Sequence, residues 1–167
     1  MSVTSIVKDR EAKTMTLTAE FDAPVERVWE IWADPRKLER WWGPPTYPAT
    51  VEEHDLTRGG SVTYYMTGPE GDTPRGWWKV VSVDPPHHLE FEDGFADDAG
   101  NPNPEMPTMT IRVSLEALPD GRTRMTTETT FPSPEAMDQL LAMGMEEGMT
   151  AAASQIDELL VAEPQLG

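Results

Sequence analysis

The spacing of the apolar residues changes twice along this chain, and these changes limit the folds that it can adopt. Alternation with a period of two begins near Lys13 and recurs in short segments as far as Phe131, except over residues 22–42. There, and again over residues 133–161, the apolar residues are spaced three and four apart. Period two predicts half-buried strands, whereas spacings of three and four predict amphipathic helices. The predicted order is therefore strand, two short helices, about six strands and one long helix.

This order predicts an α+β fold, with a curved antiparallel sheet of about six to seven strands and one long C-terminal helix across its concave face. The strands are separated by turn-forming segments such as TRGG, GPEGDTPRG and PDG. A long helix seldom fills the concave face of a strongly curved sheet. We therefore expect a cavity between the two, in which a ligand would bind.

The segment DAPVERVWEIWADP predicts the first short helix. Asp22 is placed to cap it, and Pro24 lies in its first turn. Its apolar stripe consists of Val25, Val28, Trp29 and Trp32.

The segment RKLERWWGPP predicts the end of the second short helix. Gly43 suits the left-handed position that ends a helix, and the two prolines after it prevent continuation. Adjacent helical residues point about 100° apart, so Trp41 and Trp42 cannot share one packing surface. We expect Trp42 to face the cavity and Trp41 to pack near Trp29 or the start of the sheet.

The last helix is predicted from Ser133, a suitable N-cap followed by Pro134, to about Val161. It contains Gly144 and Gly148, and each glycine inside a helix costs about 1 kcal/mol relative to alanine. Close approach of the helix to a strand is the explanation we favour. Space for a ligand, with flexible methionines adapting around it, is the alternative.

Length and charge restrict the class of protein. The 167 residues predict an N-terminal arm over residues 1–12, either loose or an edge strand, and one domain over residues 13–163. With 30 acidic and 13 basic residues the net charge is −17, which argues against nucleic-acid and membrane binding. There is no cysteine, no signal-peptide pattern and no long apolar run. We expect a cytoplasmic monomer or homodimer.

Metal-binding patterns are weak. His87 and His88 are adjacent in a strand and therefore face opposite ways, and His54 lies on a solvated face. The acidic loop EDGFADDAGNPNP, which begins near Asp93, lacks the calcium-loop spacing. We expect no metal and no cofactor. Phe95 is an aromatic residue within this polar loop, so it either closes the cavity as a lid or anchors the loop to the core.

Catalytic motifs are also absent from the sequence. It has no nucleophile elbow, no cysteine–histidine pair and no glycine-rich phosphate loop. Tyr64, Arg75 and Glu128 are polar groups that a pocket enzyme would use, but no constellation distinguishes them. We therefore predict no catalytic residues and favour a binding protein over an enzyme.

Four segments occur in an order that resembles a known family: FDAPVERVWEIWADPRKLERWWGPP, DLTRGGSVTYYM, RGWWKVVSVDPPHHLEFED and EEGMTAAASQIDELL. Across residues 13–161 the chain resembles the heat-shock protein 90 ATPase activator homologue family, a branch of the START-like (SRPBCC) superfamily. The resemblance implies a helix-grip fold with an apolar cavity between the sheet and the long helix. Met149 stands where many relatives have tryptophan, which changes the shape of that cavity.

The pattern and the resemblance together predict binding of a small apolar or aromatic molecule. One alternative is a co-chaperone module that stimulates a chaperone ATPase, and another is a polyketide cyclase-like pocket enzyme. Tyr64 would orient a polar end of the ligand, and the other candidates supply shape and apolar contact. The candidate cavity residues are Trp42, Tyr64, Met66, Phe91, Phe95, Met109, Ile111, Met125, Leu141, Met145 and Met149.

Overall fold

The computed structural model describes residues 3–162, which form one antiparallel sheet and five helices. The strands are β1 (Val3–Asp9), β2 (Thr14–Phe21), β3 (Ala49–His54), β4 (Ser61–Met66), β5 (Arg75–Asp84), β6 (His88–Ala96), β7 (Met109–Ala117) and β8 (Thr123–Thr130). Their spatial order is β1-β2-β8-β7-β6-β5-β4-β3, so the last strand of the chain, β8, pairs with β2 near one edge of the sheet. The α+β class and the antiparallel sheet are confirmed.

The sheet has eight strands rather than six or seven, because the first residues of the chain add an edge strand. β1 pairs antiparallel with β2 from Val3 to Asp9, and the connecting turn contains Lys13 at a left-handed φ of 61°. Of the two alternatives for the predicted arm, these residues therefore form the edge strand. Residues 1 and 2 and the predicted domain end at 163 lie outside the described residues.

The helices lie in two groups. α1 (Val25–Ala33) and α2 (Pro35–Trp41) connect β2 to β3. Asp34 caps α2, since its carboxylate accepts a hydrogen bond from the Arg36 amide at 2.9 Å. The predicted cap of α1 by Asp22 is not formed, because Pro24 occupies the N-cap position and no side chain bonds there.

The predicted long helix consists of three helices, α3 (Pro134–Ala142), α4 (Met145–Ser154) and α5 (Ile156–Ala162). The first break is at Gly144, whose φ of 92° lies in the left-handed region and cannot continue a right-handed helix. The second is at Gln155, whose backbone N–H donates a hydrogen bond to the Ala152 carbonyl three residues back. The continuous helix was therefore a wrong prediction, although the residues are helical on either side of each break. No helix within residues 3–162 is long and apolar enough to cross a membrane.

Two groups of buried residues fill the concave side of the sheet. The larger joins the inner faces of the strands to α1, α2, α4 and α5, and includes Phe21, Trp32 and Phe91. The smaller lies toward α3 and consists of Met15, Met109, Phe131, Met137 and Leu140. Alternating burial along β2 and β8 agrees with the predicted parity. Where the two groups meet, packing is incomplete.

The Trp-Trp-Gly-Pro segment after α2, called the corner here, contacts the C-terminal helices and so joins the two groups of helices. A Cβ at Gly43 would lie 2.1 Å from the Tyr47 carbonyl oxygen, so only glycine fits this close approach. Gly43 is not among the residues with a positive φ, so the predicted left-handed conformation is wrong and close contact is the reason for glycine. The side-chain nitrogen Nε2 of Gln155 donates to the Gly43 carbonyl at 2.7 Å and to the Trp41 carbonyl at 3.3 Å. This side chain therefore ties the α4–α5 junction to the end of α2.

We expect Gln155→Ala to lower the free energy of unfolding by about 1–2 kcal/mol, because two partly buried carbonyl groups lose their donor. Ser154→Ala is the control, since its hydroxyl is exposed and bonds only within α4, to the Thr150 carbonyl. That variant should change stability by less than about 0.5 kcal/mol. Urea unfolding measures both, and equal midpoints for the two variants would contradict the assigned role.

Candidate functional site

A cavity of about 270 Å³ lies between the concave face of the sheet and the α3–α4 junction. It forms where the two groups of buried residues meet, and apolar side chains from strands and helices make most of its wall. Its lining residues are Leu17, Trp32, Trp41, Trp42, Pro44, Tyr64, Met66, Asp93, Phe95, Met109, Ile111, Met125, Thr127, Leu140, Met143, Gly144, Met145, Gly148, Met149, Ala152 and Ala153.

Most of the predicted cavity residues lie in this wall. They are Trp42, Tyr64, Met66, Phe95, Met109, Ile111, Met125, Met145 and Met149. Phe91 does not, because its ring is fully buried and stacks on Trp78 with ring centroids 3.9 Å apart. Leu141 packs beside the smaller group of buried residues instead. The left-handed turn at Gly144 breaks the i, i+4 relation between Leu141 and Met145, and Leu140 faces the cavity in its place.

Phe95 reaches the cavity from a strand and not from a loop. It lies in β6 opposite Gly76 of β5, and its backbone carbonyl accepts hydrogen bonds from Trp77 and Asn103. The predicted irregular loop therefore begins after Ala96. A lid carried on that loop was a wrong prediction for Phe95, because strand pairing holds its backbone.

Aromatic rings form the inner end of the cavity. The Trp32 ring packs edge-on against Trp41, with centroids 4.8 Å apart, and Trp42 packs in the same way against Trp78 at 4.8 Å. The Trp41 indole donates to the Ile31 carbonyl at 2.9 Å, which fixes its ring against α1. Both rings of the Trp41–Trp42 pair line the cavity. The prediction placed only Trp42 there and Trp41 in the core, so it is only partly correct.

Gly148 faces open space. A Cβ built at this position would meet no atom within 4 Å, and the residue lines the cavity from α4. The favoured explanation, close approach of the helix to a strand, is therefore wrong for this glycine. The alternative, space beside the helix, describes the structure.

Tyr64 and Asp93 provide the polar part of the wall. The Tyr64 hydroxyl donates to Oδ1 of Asp93 at 3.3 Å, and each residue is only 8% exposed. Tyr64 lies on β4 and Asp93 on β6, so the tyrosine ring must cross β5. It does so above Gly76, where a Cβ would lie 2.3 Å from the tyrosine oxygen.

Burial raises the pKa of Asp93 to about 7, and the hydrogen bond from Tyr64 opposes this only in part. Its neighbours on the adjacent strands are Trp78 and Met109, and neither donates a hydrogen bond to the carboxylate, since the Trp78 indole N–H has no partner within the described residues. Burial and then the Asp93 carboxyl also raise the pKa of Tyr64, so its hydroxyl stays a donor. Asp93 is therefore partly ionised near neutral pH.

Asp93 was not among the predicted cavity residues, although its sequence position carries a usable signal. Asp93 shares strand parity with Leu89 and Phe91, both of which are buried, so alternation places it on the inner face. Its acidic character and its position near a polar loop pointed to solvent instead. Thr127 was missed in the same way, between the inward-facing Met125 and Thr129.

The other polar candidates, Arg75 and Glu128, do not line this cavity. Arg75 forms an ion pair with Glu52 and lies over the Tyr65 ring, and Glu128 pairs with Arg112. Within residues 3–162 no group of three or more His, Cys, Asp or Glu side chains could hold a metal ion. Asp93 and Tyr64 are therefore the ionisable groups among the described residues of the cavity wall. Hydrogen-bonding groups there also include the Thr127 hydroxyl and the indole N–H groups of Trp32 and Trp42, which have no partner within residues 3–162.

We expect Asp93→Asn to change how stability depends on pH. The folded pKa of about 7 lies above the ordinary value of 3.8, so the native state holds its proton more tightly. Stability should therefore fall as pH rises from about 4 to 7, by at most about 4 kcal/mol, and stay reduced above that range.

The asparagine variant should lack this loss, so it gains stability relative to the unaltered protein at pH 8 and not at pH 4. Glu92→Gln removes one carboxylate from the exposed face of the same strand and is the control. Urea unfolding at a series of pH values measures the effect. Parallel stability curves for Asp93→Asn and the unaltered protein would contradict the assignment.

Known structures match this architecture closely. The crystal structure of protein Ms6760 from Mycobacterium smegmatis is 50% identical, with a TM-score of 0.88, over 98% of this chain and 99% of that one. A solution structure from Arthrobacter aurescens is 52% identical, with a TM-score of 0.93, over 98% and 95% of the two chains. A third, from Staphylococcus epidermidis, is 29% identical, with a TM-score of 0.83, over 98% of each chain.

Comparison with functionally curated proteins found no match. The family model described as Activator of Hsp90 ATPase homolog 1-like protein matches residues 22–161, from the start of the α1 segment to near the end of α5. This match confirms the resemblance drawn from the ordered sequence segments. The chain therefore belongs to the family of Activator of Hsp90 ATPase homolog 1-like proteins.

Proposed function

We propose that this protein binds a small apolar or aromatic molecule in the cavity between the sheet and the α3–α4 junction. The observation that carries the proposal is the unfilled space beside Gly148, a helical glycine whose side-chain position meets no atom within 4 Å. Proteins of this family commonly have a ligand-binding pocket. A cavity with an apolar wall and few polar groups is the usual form of a small-molecule site.

The composition of the wall supports an adaptable site. Six methionines line it, and four of them, Met66, Met143, Met145 and Met149, are not fully buried. Their unbranched side chains can repack around ligands of different shape. The indole rings of Trp32, Trp41 and Trp42 offer flat apolar surfaces at the inner end. An aromatic ligand would therefore contact rigid rings at one end and flexible thioethers at the other.

Binding is tested with prodan, a neutral dye whose emission moves to shorter wavelength in apolar surroundings. We expect a saturable shift with the unaltered protein. Gly148→Leu should weaken binding at least about tenfold, because the added side chain occupies the space that the dye needs. Gly148→Ala adds one methyl group and should stay within about threefold of the unaltered protein.

Both variants gain helix propensity, and Gly148→Ala should raise the free energy of unfolding by about 1 kcal/mol. The pair therefore separates loss of space from any effect of helix stability. A folded protein that gives no saturable shift would rule the proposal out. So would undiminished binding by Gly148→Leu, because it would place the dye elsewhere.

A pocket enzyme of the cyclase type is the second candidate, and the Asp93–Tyr64 pair is the observation that favours it. A carboxyl group with a pKa of about 7 in an apolar cavity suits general acid or base catalysis near neutral pH. This candidate predicts that the protein accelerates ring closure of a synthetic poly-β-ketone, and that Asp93→Asn removes the acceleration while Glu92→Gln keeps it. An unchanged rate with the unaltered protein would exclude it.

A further inference from the structure

The cavity wall has an asymmetric charge. Its ionisable side chains are Asp93 and Tyr64, and among the described lining residues there is no lysine, arginine or histidine. The whole chain has a net charge of −17. A carboxylate or phosphate ligand would therefore meet a buried acid, with no cation in the wall to balance its charge.

Asp93 retains an unused acceptor. Oδ1 accepts from the Tyr64 hydroxyl at 3.3 Å, which is a long hydrogen bond, and within residues 3–162 Oδ2 has no donor. The neighbours across the strands, Trp78 and Met109, do not donate to it, and the residue is 8% exposed. On a residue this buried Oδ2 has little contact with water, so a ligand that supplies a donor at this point would satisfy it.

There is room for a small group beside this carboxyl. A second hollow of about 90 Å³ adjoins the main cavity and shares five lining residues with it. The shared residues are Tyr64, Met66, Asp93, Phe95 and Met109. Arg75 also lines the small hollow, but its guanidinium forms an ion pair with Glu52, which balances its charge. Asp93 therefore stands between a large apolar space and a small one, which suits a ligand with an apolar body and a compact polar head.

We propose that the ligand carries a protonated amine on its apolar or aromatic body, and that this amine binds the Asp93 carboxylate. This inference rests on the proposed function, since it names the ligand class of the same cavity. An ammonium group supplies both the missing donors and the opposite charge, whereas an alcohol supplies only a donor and a carboxylate supplies neither. Tyr64 holds the other carboxylate oxygen and so positions Asp93 toward the amine.

Three compounds of the same length and shape test the proposal: 4-phenylbutylamine, 4-phenylbutan-1-ol and 4-phenylbutanoate. Their binding is measured by calorimetry at about pH 8.5, which is above the pKa of Asp93 of about 7 and below that of an alkylamine, so that both are charged. Salt at about 0.15 M screens the general negative field of the protein. We expect the amine to bind at least about tenfold more tightly than the alcohol, and the carboxylate to bind more weakly than either.

Asp93→Asn should reduce the advantage of the amine over the alcohol to about twofold or less. Glu92→Gln removes the same charge on the outer face of β6 and should keep that advantage. Equal affinity of amine and alcohol for the unaltered protein would overturn the inference, and this comparison does not depend on any variant folding. Persistence of the advantage in Asp93→Asn would overturn it as well.

The outcome is distinguishable from failure of the proposed function. Saturable prodan binding that Gly148→Leu abolishes, together with no preference for the amine, would leave a ligand-binding cavity whose polar end does not select cations. Absence of binding by prodan and by all three compounds would instead reject the cavity as a ligand site and this inference with it.

Discussion

Packing of aromatic rings between the α1–α2 corner and the middle of the sheet is the interaction on which the rest of the structure depends. The Trp32 ring lies within 6.2 Å of the rings of Trp41, Trp42, Trp78 and Phe91, measured between centroids. Large rings bury more apolar area than any other side chain, and edge-to-face contacts add to that stabilisation. These rings fix the distance between the corner and the sheet. Gln155 joins the C-terminal helices to the same corner through its hydrogen bond to Gly43.

The cavity follows from that arrangement and from the breaks in the C-terminal helices. The aromatic cluster supports α4 and α5 at one end, and Met137 and Leu140 of α3 pack on the smaller group of buried residues at the other. Between the two supports, Gly144 turns the chain and Gly148 adds no side chain. Unfilled apolar space normally lowers stability, because the lining atoms lose contacts that a close-packed core would supply. A bound apolar molecule would restore those contacts.

Asp93 is a second departure from a close-packed apolar core, because it places a polar group where the core is otherwise apolar. A buried carboxyl between Trp78 and Met109 lowers stability once it ionises, whereas an apolar residue at this inward position would only add to the core. Gly76 leaves the space through which Tyr64 reaches it, so the two residues depend on a third that has no side chain. The unfilled space beside Gly148 and the buried carboxyl of Asp93 thus both occur at the cavity. Such a concentration is typical of a functional site.

Much of the fold could be predicted from local pattern, since period and turn residues are properties of neighbouring positions. The α+β class, the α1–α2 pair, the inward parity of β2 and β8, and most of the cavity residues follow from it, whereas Phe95 was predicted in a loop and lies in β6. Three features required the tertiary structure: pairing of β1 with β2, the break at Gly144, and the contact of Asp93 with Tyr64 across β5. Strand pairing is a long-range contact, and a glycine in a helical pattern does not show whether it bends the chain. The environment of an acidic side chain is set by residues on other strands. The sequence by itself determined which faces are apolar, and the tertiary structure alone decided where that apolar surface is left unfilled, because a cavity depends on the distance between elements that the chain brings together from far apart.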